Sequence, residues 1–139
     1  MTELSSETIH ASCIAIGGRA VLLAGRSGAG KSDLALRLID RGATLVSDDY
    51  TRLIRRDGRL HASPPAQAGR IEVRGIGIVD MPHLADVPVA LLVDLAAQVP
   101  RMPEPATRRL AGVDLPTAAL APLEASAPIK VELLLAAIA

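Results

Sequence analysis

The chain has 139 residues and a mass of 14.4 kDa, which predicts one domain, 1–139, that buries its core without disulfide or metal staples. Fifteen basic residues balance fifteen acidic ones, and Tyr50 is the single aromatic residue, so the sequence argues against a nucleic-acid partner. The lone Cys13 and the absence of a signal-peptide or membrane-span pattern predict a cytoplasmic protein with no membrane partner.

The first predicted elements surround a glycine-rich loop. Residues 1–8 are polar, and we expect them to be frayed. Apolar runs then predict two strands, 9–16 and 20–24, joined by a glycine turn. Leucine and alanine recur at helical spacing over 31–41, which predicts a helix directly after the loop.

The middle of the chain contains predicted strands and turns. Residues 44–47 have the composition of a short strand that ends at two aspartates. A hairpin is predicted from 52–56 to 59–61 across Asp57-Gly58, and a loop follows at 63–69, where two prolines and small residues show no periodicity. Alternation over 71–74 predicts another strand.

The last third has two assignable elements. The continuous apolar run within 86–95 is typical of a buried strand, and 129–138 predicts a closing helix. The segment 98–128 is rich in Pro and Ala and predicts no definite element. Strands that alternate with helices around a glycine loop indicate the α/β class.

The segment GRSGAGKS matches the phosphate-loop pattern G-x-x-x-x-G-K-[ST] in full, between a predicted strand and a predicted helix. Its backbone amides and the helix N-terminus would cradle phosphate groups. Lys31 would reach the β- and γ-phosphates, and the Ser32 hydroxyl would bind Mg²⁺. The predicted nucleotide-binding residues are Gly25, Arg26, Ser27, Gly28, Ala29, Gly30, Lys31 and Ser32.

Carboxylates at two predicted strand ends are candidates for the remaining chemistry. Asp48 and Asp49 follow the first strand after the phosphate helix, and adjacent carboxylates suit two tasks, one at the metal and one as general base. Asp94 ends a run that is typical of a general Walker B strand, although a structural or capping role is the stronger interpretation for it.

These motifs, in this order, resemble the bacterial HPr kinase/phosphorylase family, specifically its catalytic domain. The matches are TIHAS with His10, the segment GRSGAGKSDLALRLIDRGATLVSDD, the signature-like IEVRGIGIVD with Glu72, and RRLAG. The resemblance implies Asp49 as the proton-handling aspartate and Glu72 as a metal ligand beside Ser32 and Asp48. It also implies a functional His10 and a catalytic Arg109, with the adjacent Arg108 as the alternative.

The resemblance further implies a P-loop domain of the phosphoenolpyruvate carboxykinase type, with a mixed sheet and flanking helices. The implied reaction is ATP- and Mg²⁺-dependent phosphorylation of a serine on HPr, the small phosphocarrier protein of the sugar phosphotransferase system, or on an HPr-like homologue of a nitrogen-related branch. The family usually forms hexamers, so a homo-oligomer is expected.

The sequence departs from the family in one functional segment, and alternatives stay open. Longer family members carry Arg-Pro-Gly-Arg-Asn-Leu before the last helix, a segment tied to dephosphorylation, whereas this chain has no Asn and shows APLEASAPIK there. Phosphorylase activity is therefore left open. The alternatives are a small-molecule P-loop kinase with a lid built from Arg101, Arg108 and Arg109, and a nucleotide-binding regulator with little transfer activity.

Overall fold

The computed structural model describes residues 5–139, in which eleven strands and two helices occur. The helices are α1 (Lys31–Asp40) and α2 (Ala127–Ala136). The strands are β1 (Ser6–Ile9), β2 (Ala11–Ile16), β3 (Arg19–Ala24), β4 (Thr44–Ser47), β5 (Thr51–Arg56), β6 (Arg59–Ser63), β7 (Arg70–Val73), β8 (Gly77–Asp80), β9 (Val87–Asp94), β10 (Ala106–Leu110) and β11 (Val113–Ala119).

Nine strands form one mixed sheet. Its order is β1-β5-β6-β9-β3-β2-β4, with β11 also paired to β9 and β10 paired to β11. The pairs β3·β9 and β9·β11 are parallel, and the other pairs in this sheet are antiparallel. A separate ribbon consists of β7 and β8. The predicted α/β class with a mixed sheet is thereby confirmed.

Buried side chains cover both faces of the central strands. Along β2 successive side chains point to opposite faces, so Ile14 packs with the helices while Cys13 packs against the other face. Leu34 of α1 and Val131 of α2 belong to the first cluster, and Leu60 of β6 belongs to the second. Because both faces are covered, the central strands contain almost uninterrupted apolar sequence.

The prediction of a frayed segment at 1–8 is wrong for its second half. Residues 6–9 form β1, an antiparallel partner of β5 with Glu7 opposite Leu53, while residues 1–4 lie outside the described residues. An edge strand gains backbone hydrogen bonds from one neighbour and needs no apolar run, so composition does not reveal it.

The unassigned segment 98–128 contains the hairpin of β10 and β11. Four of the five residues in β10 are exposed, and Pro116 interrupts the apolar pattern of β11, so the alternation that marks half-buried strands is weak here. The predicted closing helix is confirmed, but α2 begins earlier, at Ala127, with Pro128 in its first turn, where a missing N–H is tolerated.

The directions of the strands place the phosphate loop and the two aspartates at one edge of the sheet. The parallel strands β3 and β9 end together, with Ala24 opposite Asp94. The antiparallel β2 begins at this edge, with Ala11 opposite Ala24, and β4 ends there, with Ser47 opposite Cys13.

Among the helices of residues 5–139, none is long and apolar enough to span a bilayer.

Candidate active site

The loop between β3 and α1 is shaped to receive an anion. Gly30 precedes the helix at φ = 98°, and a Cβ added there would lie 3.2 Å from Cβ of Pro122. A Cβ on Gly25 would lie 2.9 Å from Cβ of Ala29, so both positions need glycine. No side-chain cap occupies the N-terminus of α1, which leaves its first amides directed at the loop.

Lys31 is buried, with 3% of its side chain exposed, and its ammonium group lies inside the loop. Its Nζ donates to the carbonyl oxygen of Arg26 at 3.0 Å and lies 3.5 Å from Oδ1 of Asp49. A buried ammonium needs such partners because its desolvation is costly. The fold therefore joins the predicted phosphate-binding lysine to the predicted base.

His10 also contacts Asp49. Its Nε2 lies 2.8 Å from Oδ1 of Asp49 and 3.3 Å from Nζ of Lys31. A single ring nitrogen cannot donate to the carboxylate and accept from the ammonium at the same time, so Nε2 makes one of these two hydrogen bonds in each tautomer. The ring of Tyr50 stacks on His10 with centroids 4.8 Å apart and planes at 12°, which fixes the orientation of the imidazole.

Asp48 joins the phosphate loop to the β7–β8 ribbon. Its Oδ1 accepts hydrogen bonds from the hydroxyls of Ser32 at 2.6 Å and Ser12 at 2.9 Å. Its Oδ2 accepts the backbone N–H of Glu72 at 2.9 Å. The three predicted metal-site residues, Ser32, Asp48 and Glu72, are therefore adjacent. Over the described residues no group of three His, Cys, Asp or Glu side chains is arranged to hold a metal.

Two open depressions adjoin this group. The first, of about 380 Å³, lies beside Asp48, Asp49, Tyr50 and Glu72 and extends to the loop 64–69. The second, of about 300 Å³, lies beside the start of the phosphate loop. Its lining includes His10, Gly25, Arg26, Asp94 and Arg108.

The structure separates the two candidate arginines. Arg109 lies opposite Asp114 in the hairpin and donates to its carboxylate at 2.9 Å, whereas Arg108 lines the second depression together with His10. Adjacent residues of a strand point to opposite faces, so only one of the two can face the phosphate loop. Arg108 therefore faces the phosphate loop and Arg109 faces Asp114, while the catalytic role expected for Arg109, with Arg108 as its alternative, stays a prediction.

Asp94 has the structural role that the sequence favoured. Its Oδ1 accepts the backbone N–H groups of Ala96 at 2.9 Å and Ala97 at 3.1 Å, which closes the turn after β9. The sequence analysis did not identify Ser12 or Tyr50, which contact the two aspartates and His10. Ser12 ends the TIHAS match and is a polar residue within the apolar run of β2, but neither feature assigned it a role.

Comparisons with known proteins identify relatives of this chain. Residues 2–87 match the family described as the HPr serine kinase C-terminal domain. The HPr kinase/phosphorylase of Clostridium tetani is 43% identical over 84 residues, which are 59% of this chain and 28% of the relative. The same-named protein of Clostridium novyi is 44% identical over 84 residues, which are 59% of this chain and 27% of that relative.

A solved structure covers more of the chain. The Hpr(Ser) kinase/phosphatase from Coxiella burnetii superimposes with a TM-score of 0.79 at 29% sequence identity, over 94% of this chain and 88% of that one. By contrast, the chain spans little more than a quarter of the length of the curated relatives it matches. The shared part contains the phosphate loop, the two aspartates and Glu72.

Proposed function

The chain belongs to the family of HPr serine kinase C-terminal domains, and from that membership we propose that it transfers the γ-phosphoryl group of ATP to a serine of an HPr-like phosphocarrier protein. One observation carries the proposal: Lys31 of the phosphate loop and the carboxylate of Asp49 lie 3.5 Å apart. A cradle for the phosphate donor and a group that can accept a proton thus occupy one site.

The proposed reaction is a single displacement. The carboxylate of Asp49 accepts the proton of the acceptor serine while the serine oxygen forms a bond to the γ-phosphorus. The bond from the γ-phosphorus to the bridging oxygen breaks, and ADP leaves with the electron pair. Lys31 stabilises the negative charge of the phosphoryl group as it moves, as does the cradle of backbone amides.

The residues around Asp48 fit the Mg²⁺ that the family implies. Ser32 Oγ and Asp48 Oδ1 are 2.6 Å apart, and both are the hard oxygen ligands that this ion prefers. Ser32 and Glu72 would bind the ion, and Asp48 would hold one of its water molecules. When bound, Mg²⁺ neutralises charge on the β- and γ-phosphate oxygens.

His10 and Arg108 complete the proposed site. His10, held by the stacked Tyr50, orients the carboxylate of Asp49 through the 2.8 Å contact. Arg108 lies beside the phosphate loop in the second depression, where a guanidinium can balance phosphate charge. Arg109 is engaged with Asp114 and is not assigned to the reaction.

A protein acceptor suits the surface beside Asp49. The β7–β8 ribbon presents Ile76 and Ile78, which are 78% and 67% exposed, and Ile78 lines the first depression. Exposed aliphatic side chains beside a reactive carboxylate favour contact with another protein over capture of a small polar metabolite.

The hexamer implied by the resemblance stays a prediction.

The test is a transfer assay. The purified chain is incubated with ATP, Mg²⁺ and an HPr protein, and phosphoserine is sought by mass spectrometry, with and without excess phosphate to detect the reverse reaction. We expect transfer by the wild type, and none by Asp49→Asn, which retains nucleotide binding. Absence of transfer to HPr together with phosphorylation of a small metabolite would overturn the proposal and favour the small-molecule kinase.

A further inference from the structure

The hydroxyl of Ser12 links the two aspartates of the site. Ser12 lies in β2 and is fully buried. Its Oγ donates to Oδ1 of Asp48 at 2.9 Å and accepts the backbone N–H of Asp49 at 3.0 Å. A hydroxyl has one proton and two acceptor lone pairs, so both bonds form together. One side chain therefore fixes the carboxylate of the first aspartate and the backbone of the second.

The backbone that Ser12 contacts is strained. The N–H of Tyr50 donates to the carbonyl oxygen of Asp48 at 2.8 Å, which closes a three-residue γ-turn centred on Asp49. Asp49 has φ = 68°, and γ-turns with positive φ at the central residue are rare. Such a conformation persists only where surrounding contacts enforce it, and the bond from Ser12 acts at the central residue of the turn.

This turn determines where both carboxylates point. With the turn in place, Oδ1 of Asp49 reaches His10, and Oδ1 of Asp48 reaches the hydroxyl of Ser32. A relaxed turn would rotate Asp49 away from His10, because backbone torsion at the central residue carries the side chain with it. Ser12 thus acts on the candidate base and on the candidate metal site at once.

We propose that Ser12 is a positioning residue that holds Asp49 in its strained turn and Asp48 against the phosphate loop. The effect on catalysis rests on the proposed function, whereas the effect on the turn does not. A buried hydroxyl in a strand can also be satisfied by a backbone carbonyl, as Thr51 shows: its Oγ1 donates to the carbonyl oxygen of Ala11 at 2.8 Å. Ser12 instead bonds to the aspartate pair.

Thr51 provides a matched control. It is fully buried like Ser12, so Thr51→Val and Ser12→Ala each remove one buried hydroxyl and its hydrogen bonding. We expect Ser12→Ala to lower kcat of transfer by about 10- to 100-fold with KM for ATP changed by less than about threefold. We expect Thr51→Val to leave kcat within about twofold, because the hydroxyl of Thr51 bonds to the carbonyl oxygen of Ala11 and to neither aspartate.

Amide hydrogen exchange of Asp49, followed by NMR, tests the turn without any transfer assay. We expect this amide to be protected in the wild type and in Thr51→Val, and to exchange at least about tenfold faster in Ser12→Ala. An unprotected Asp49 amide in the wild type overturns the inference and needs no variant to fold. Equal losses of kcat in Ser12→Ala and Thr51→Val also overturn it. If the wild type transfers nothing to HPr, the proposed function fails while the exchange result still decides the role of Ser12.

Discussion

Substitution of Asp49 by Gly and by Ala should reveal the strain in the turn. Both variants remove the carboxylate and its contacts with His10 and Lys31, so those losses cancel when the two are compared. They differ in backbone preference. At an ordinary position Ala is favoured over Gly by roughly 0.5–1 kcal/mol, because Gly loses more conformational freedom on folding.

The positive φ of Asp49 should reverse that order. A non-glycine residue at φ = 68° in such a turn costs about 1–3 kcal/mol, and Gly avoids this cost. After subtraction of the entropic penalty of Gly, we expect Asp49→Gly to exceed Asp49→Ala in free energy of unfolding by about 0–2.5 kcal/mol. Both should reduce transfer by about 10²- to 10⁴-fold, since the proposed general base is removed.

The assay is urea unfolding at neutral pH, followed by far-UV circular dichroism because the chain contains no Trp. Asp49→Asn is the control for the carboxylate alone, since Asn tolerates positive φ and keeps the side-chain volume. If Asp49→Ala is more stable than Asp49→Gly by the roughly 0.5–1 kcal/mol of an ordinary position, then the turn stores no strain and the argument for Ser12 as its holder loses its basis.

Three further predictions concern charged side chains. Lys31→Ala should weaken ATP binding by about 10- to 100-fold in calorimetry and reduce transfer as well, because the lysine contacts phosphate before and during the reaction. Arg108→Ala should lower kcat by at least about tenfold, and Arg109→Ala should leave it within about threefold. Glu132→Gln should lower the urea midpoint slightly at pH 7 but not in acid, because the hydrogen bond from Arg41 lowers the pKa of Glu132.

Each of these has an outcome that contradicts it. Unchanged ATP affinity in Lys31→Ala would place the nucleotide elsewhere. A larger loss of kcat in Arg109→Ala than in Arg108→Ala would contradict the choice of Arg108 as the arginine that balances phosphate charge. For Glu132 the direction of the pH dependence follows from its lowered pKa. Its ion pair contributes stability at pH values above the ordinary carboxyl pKa, and this contribution is lost as the pH falls. A difference between wild type and variant that persists in acid, once this carboxyl group is protonated in both the folded and the unfolded state, would contradict it.

The sequence by itself determined the local features of this protein. The phosphate loop, its helix and the strand ending at Asp48 and Asp49 depend on spacing and composition over short windows, and the structure has them at the predicted positions. The α/β class followed from the same windows. These features are predictable because glycine conformation, helical periodicity and turn chemistry act between near neighbours.

Only the tertiary structure decided which side chains meet. Strand pairing places β1 at the edge of the sheet. Because side chains alternate between the two faces of β10, Arg108 lies beside the phosphate loop and Arg109 lies beside Asp114. Ser12 gave almost no signal, because β2 is covered on both faces and lacks alternation. Its role follows from the antiparallel pairing that sets β2 beside the end of β4. Contacts between distant segments depend on register and burial, which no short window of sequence contains.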